Sequence, residues 1–131
     1  MPNPSTRNTR FHYLYRDASN YKSWGSIVFA EEITDELNTR LSCALESGQF
    51  LIADQIRLPE LFLVLPDWPL EQDDHCWHEF DVTESTTDAP DDIRGRTIHD
   101  FVIEVEQESR NGWRVFDPVS RQTSPQRPSF G

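Results

Sequence analysis

The sequence predicts an α+β fold in which one main helix, about residues 34–47, packs on a largely antiparallel sheet. Three stretches carry that expectation. Aromatic arms flank a polar turn in "FHYLYRDASNYKSWGSIVF" (11–29), a capped amphipathic segment runs through "ITDELNTRLSCALESG" (33–48), and an Asn-Gly pair separates apolar stretches near the C-terminus. A chain of 131 residues supports one hydrophobic core. The expected organisation is a single domain over 10–118, between a flexible N-terminus (1–9) and a flexible Pro/Ser/Gln/Arg tail (119–131).

Each element has its own local reason. Phe11, Tyr13 and Tyr15 alternate with His12, Leu14 and Arg16, and "SIVF" at 26–29 is β-branched and aromatic, so 10–29 reads as an N-terminal hairpin. Asp17, Ser19 and Asn20 supply the turn chemistry, and Gly25 is a candidate bulge. In the helix, Thr34 is placed to cap, Asp35 and Glu36 suit the positive end of the dipole, and Leu37, Leu41, Ala44 and Leu45 share one face. Gly48 stands where a helix stops. "FLI" (50–52) and "LFLVL" (61–65) read as short buried strands on either side of a turn at Pro59, and "HCWHEFDVT" (75–83) as a further strand.

The segment "TIHDFVIEVEQE" (97–108) fits two periods. Ile98, Phe101, Val102 and Val105 have helical spacing, whereas strict alternation places His99, Phe101, Ile103 and Val105 on one side. Asn111-Gly112 tips the reading toward a hairpin of 97–109 with 113–118, closing a C-terminal meander, because a two-residue type I′ turn needs positive φ at both positions. The helix is the alternative.

The net charge is −11 and unevenly spread. Fourteen acids against Arg94 and Arg96 make residues 67–108 carry −12, while 1–30 and 109–131 are each +3. Such a field repels nucleic-acid phosphate and acidic membrane and favours encounter with a basic surface. Two cysteines, Cys43 and Cys76, read as free thiols of a reducing cytoplasm. "LFLVLP" is the longest apolar run, too short to span a bilayer, and "MPNPSTRNTR" has no apolar leader core. The expectation is a cytoplasmic protein without membrane contact.

Reactive side chains are densest in "EQDDHCWHEFD" (71–81). In a strand His75, Trp77, Glu79 and Asp81 share one side and Cys76, His78 and Phe80 the other, so the two histidines diverge. His75, Cys76 and His78 are the candidate metal ligands, completed only if His12, His99 or Cys43 folds over them. Cys76 with His78 also has the composition of a nucleophile and base, but flanking Asp73, Asp74, Glu79 and Asp81 oppose a thiolate. No P-loop, GxGxxG, GxSxG or EF-hand pattern occurs, and nothing calls for a cofactor. If 97–109 is a strand, Asp100, Glu104, Glu106 and Glu108 project from one face, with Asp91 and Asp92 nearby in sequence, as a dock for an Arg/Lys-rich partner.

"FHYLYRDASNYKSWGSIVF", "GQFLIADQIRLPEL" and "WHEFDVT" together resemble a family of small acidic bacterial proteins. That family carries no assigned activity, so the resemblance implies a bacterial cytosolic origin and transfers no functional residue. The expected function is a non-catalytic acidic binding module, an adaptor, inhibitor or immunity-type protein, engaging a basic protein surface and not nucleic acid directly. Alternatives are a metal-binding or thiol/His enzyme using 71–81, a subunit of a larger assembly contacting through "LFLVLPDWPL" with Trp68, and a ubiquitin-like carrier ending at Gly131.

Overall fold

The computed structural model describes residues 7–16, 20–62 and 75–118. Four strands form an antiparallel sheet in the order β2-β1-β4-β3: β1 (Asn8–Arg16), β2 (Lys22–Phe29), β3 (Phe50–Leu51) and β4 (His78–Thr86). Two helices, α1 (Asp35–Ala44) and α2 (Ile98–Asn111), cover one face, and a 3-10 turn at Ala53–Ile56 follows β3. Of the expected tails, 1–6 and 119–131, Gly131 included, lie outside the described residues, as do the turn residues Asp17 and Ser19, most of the 61–65 strand and Trp68, whereas Asn8 and Thr9, expected in the N-terminal tail, belong to β1. Among the described residues no helix is long and apolar enough to cross a membrane.

The N-terminal hairpin pairs in uninterrupted register, from Thr9 opposite Phe29 to Arg16 opposite Lys22. Its alternation puts Phe11, Tyr13 and Phe29 into the helix-covered core. Gly25 is not a bulge. A Cβ there would stand 2.8 Å from Leu61 Cδ2, so glycine admits a close approach of that side chain over Tyr13's neighbour in β2. The bulge lies in β4: His12 is opposite Val82 and Tyr13 opposite Phe80, which leaves Asp81 as the extra residue.

Helix α1 forms for the reasons read from its sequence. Thr34 Oγ1 accepts from the Leu37 N–H at 3.1 Å, and Leu37, Leu41 and Ala44 are buried. It stops at Ala44, before Gly48. Leu45 turns extended and stays buried, while Glu46 pairs with Phe50.

Residues 97–109 are not a strand, and the C-terminal meander is replaced by helix α2. Ile98, Phe101, Val102 and Val105 are all buried on one stripe, and Thr97 and Asp100 make a reciprocal capping box. Asn111 is the last helical residue, and Gly112, at φ +88, ends the helix. The glycine conformation that an Asn-Gly hairpin turn requires also suits a helix C-terminus, so the dipeptide could not decide between them.

A buried side chain just before α2 ties the helix to the 3-10 turn and the loop preceding it. Arg96, 7% exposed, spends all five guanidinium N–H groups. Nε and Nη2 fork onto Asp92 at 3.0 and 2.8 Å, Nη1 donates to Ile56 O (2.7 Å) and Glu104 Oε1 (2.9 Å), and Nη2 also reaches Arg57 O (3.1 Å). Its carbon end lies 5.4 and 5.3 Å from the ring centres of Phe29 and Phe101, which stack on each other at 4.3 Å. Truncation leaves the Asp92 carboxylate, 2% exposed, without its counter-ion. Arg96→Ala is expected to lower stability by about 3–5 kcal/mol, with Arg96→Lys recovering less than half because an ammonium cannot reproduce the fork. Urea unfolding of both variants, followed by circular dichroism, measures this.

Candidate functional site

The six carboxylates expected to form one acidic face are distributed by α2 and the turn before it. Asp92 and Glu104 hold Arg96. Asp91 Oδ1 accepts from the Val28 N–H at 2.8 Å while its own N–H donates to Val28 O, which fastens the 91–95 turn to the edge of β2. Asp100 caps α2. Glu106 receives a forked pair from Arg40 of α1 at 2.9 and 2.7 Å, and this guanidinium is the main reason its carboxyl is held below the usual glutamate range. Glu108 binds Arg114 at 2.8 Å. Each of the six therefore has an intramolecular partner, and the helix separates what a strand would have aligned.

Within β4 the His/Cys segment keeps its alternation as far as Phe80. His78 is fully buried beside Tyr13, Tyr15 and Phe62, with ring centres at 6.0, 5.2 and 5.3 Å. Its Nε2 accepts from the Leu61 N–H at 2.9 Å, which leaves the proton on Nδ1, facing Cys76 O at 3.3 Å. Burial lowers its pKa to about 4, so the imidazole is neutral and pins the backbone of Leu61 and Cys76 to β4. Cys76 is buried as well, and its Sγ accepts from the Phe116 N–H at 3.5 Å. His75 precedes the strand and does not diverge from His78 as strict alternation would require: its Nδ1 accepts from the Trp77 N–H at 3.1 Å, and its ring, like that of His78, rests 5.2 Å from that of Tyr15. His12 pairs with Glu84 across the sheet, and Cys43 is exposed on α1. Among the described residues no three His, Cys, Asp or Glu side chains converge as metal ligands.

Two surfaces that sequence reading did not single out emerge from the pairing. The first lies on the sheet face opposite the helices. Trp24 is paired with Leu14, Leu14 with Glu79 and Glu79 with Phe50, and Phe50 also bridges to Glu46, so these five side chains form a row across the sheet. Trp24 is 59% exposed at one end. At the other, Glu46, Phe50, His75 and Trp77 line a groove of about 350 Å³. Arg16 forks onto Glu79 in mid-row at 3.0 and 3.3 Å. Neighbours in this row are far apart in sequence, and only a known register reveals them.

The second surface surrounds the N-terminus of α1. Glu31, Glu32, Asp35 and Glu36 are exposed within six residues, and none forms an ion pair among the described residues. Thr9 Oγ1, donating to Glu31 O and accepting from the Ile33 N–H at 2.8 Å each, fixes this segment to the end of β1, and Glu31 adopts positive φ (75°) to make the corner. Ser85 Oγ donates to Glu32 at 3.1 Å. The repeat of acids in "EEITDE" was visible from sequence, but it was absorbed into the helix-start signal. Comparison with protein-family models, with curated proteins and with solved structures returned no match.

The buried His78 makes stability depend on pH. Its folded pKa, about 4, lies below the unfolded value of 6.5, so between these values the unfolded chain binds more protons. Stability from this group is complete above pH 6.5 and is lost as pH falls toward 4, by on the order of 2–3 kcal/mol. Urea midpoints of the native protein are expected to fall over that window, and those of His78→Gln to vary much less across it.

Proposed function

We propose that the chain is a non-catalytic binding module, an acidic adaptor or inhibitor, that engages a basic protein surface. The observation that supports this best is the rim of Glu31, Glu32, Asp35 and Glu36: four exposed carboxylates held on a fixed corner, none in an ion pair among the described residues, with Arg40 acting on Glu36 only at a distance. They sit at the N-terminal end of α1, where the helix dipole favours negative charge, so assembling them costs the fold little. Five of the described arginines, Arg10, Arg16, Arg40, Arg96 and Arg114, are each already held by a carboxylate. The net charge of −11 leaves a surplus of carboxylates that a cationic partner would meet. Asp91, Asp92, Asp100, Glu104, Glu106 and Glu108 contribute to the long-range field in this reading, and the 31–36 rim makes the direct contact.

A cationic partner drawn by such a field binds quickly and loses affinity as salt rises. Affinity capture from the source organism, with the native protein and with Glu31→Lys, Glu32→Lys, Asp35→Lys and Glu36→Lys combined, tests the proposal. The expected result is a partner with a basic surface, retained at physiological ionic strength, released at higher salt, and bound about tenfold or more weakly by the reversed variant. Equal, salt-insensitive retention by both proteins would overturn it.

A further inference from the structure

We propose that the groove formed by Glu46, Phe50, His75 and Trp77 is an arginine pocket, the seat for the guanidinium of one arginine side chain of the basic partner. This rests on the binding-module reading and names the contact that would give it specificity.

The pocket is built by backbone pairing. Glu46 and Phe50 exchange two main-chain hydrogen bonds, at 2.8 and 2.9 Å, across the tight turn of Ser47, Gly48 and Gln49, whose first two residues have φ of 54° and 73°. Residues paired in this way carry their side chains on the same face. The Glu46 carboxylate consequently stands next to the Phe50 ring. Trp77 meets Phe50 edge to face, with ring centres 6.5 Å apart at 67°, and is backed by Trp113 at 6.3 Å and 66°. His75, tied to the Trp77 N–H, supplies a further wall among the described residues and is itself braced by Tyr15. The aromatic walls are thus held from behind.

Charge and shape then select the occupant. Of the two carboxylates flanking Phe50 in the row, Glu79 is 8% exposed and already forked by Arg16, whereas Glu46 is exposed and makes no side-chain hydrogen bond or ion pair among the described residues. Ring faces carry negative potential and attract a cation laid over them. A guanidinium is flat enough to stack on such a face while its fork meets a carboxylate, and its three-carbon stem covers apolar wall; an ammonium is a more strongly hydrated point charge. A volume of about 350 Å³ leaves ample room for one such side chain. Arg16 on Glu79 shows the same guanidinium–carboxylate pairing one step along the row.

Nuclear magnetic resonance titration of the native protein with N-acetyl-arginine amide, following the Trp77 indole N–H, tests the pocket. The citrulline counterpart, which has the same shape without the charge, and the lysine counterpart are titrated alongside. The expected result is that the arginine compound moves the Trp77 resonance and binds at least about fivefold more tightly than either analogue. Glu46→Gln, at an exposed side chain, should bring arginine and citrulline close to equal. Citrulline or lysine binding as tightly as arginine, or a Trp77 resonance that none of the three moves, would overturn the proposal. A partner that tolerates Glu46→Gln but is lost on reversing 31–36 removes the pocket and keeps the binding module. Arginine binding with no partner captured does the reverse.

Discussion

The architecture depends on one buried charge. Arg96 stands where a compact core would normally place a hydrocarbon, and its burial is tolerable only because every donor has an acceptor: a carboxylate four residues earlier, the carbonyls of Ile56 and Arg57 at the end of the 3-10 turn, and a carboxylate of α2. Those acceptors come from three stretches of chain that share no sheet ladder. Two further links, Ile98 N–H to Ala30 O at 2.8 Å and Ala30 N–H to Arg96 O at 3.4 Å, attach the start of α2 to the end of β2. The guanidinium locks irregular chain where no hydrogen-bonded ladder is available to do so. Part of the acidity of 67–108 follows directly, since Asp92 and Glu104 are there to complete this network.

How far the sequence was legible depended on the range of the interactions involved. The hairpin and α1 were readable because their determinants lie within a few residues: alternation with aromatic residues in one, a Thr34 cap and a Leu37–Leu41–Ala44 stripe in the other. The same local logic was available for α2, whose Thr97-x-x-Asp100 capping box and buried stripe outweigh the Asn111-Gly112 signal. The Asn-Gly pair is ambiguous because the positive φ of its glycine serves a helix end as well as a hairpin turn. The pairing of β1 with β4, by contrast, joins residues about seventy positions apart, and no local pattern announces it. The cross-sheet row and the groove at its end inherit that illegibility.

Burial takes one thiol and one imidazole of the 71–81 segment out of reach of solvent. Cys76 and His78, the most reactive pair on paper, are both consumed in main-chain contacts and shut away from solvent. Among the side chains that face outward, Glu31, Glu32, Asp35, Glu36 and Glu46 are exposed carboxylates, and the half-buried rings of Phe50 and Trp77 stand beside Glu46. Carboxylates and ring faces are groups that hold a cation without transforming it.

The extra residue in β4 reverses the parity of the strand part-way along. Before Asp81 the even-numbered residues His78 and Phe80 face the helices; after it the odd-numbered Thr83 and Ser85 do, and they reach Asn38 and Glu32 at the α1 end. Val82, which simple alternation would bury, is half exposed instead. The strand is therefore two short pieces in opposite phase, one serving the core and the other anchoring the acidic corner. Loss of Asp81 would leave an unbulged strand with Thr83 and Ser85 still facing the helices, whereas straightening the bulge with Asp81 retained in the ladder would turn the corner's anchor outward. For β4, the number of residues between its two ends carries structural information that their identities do not.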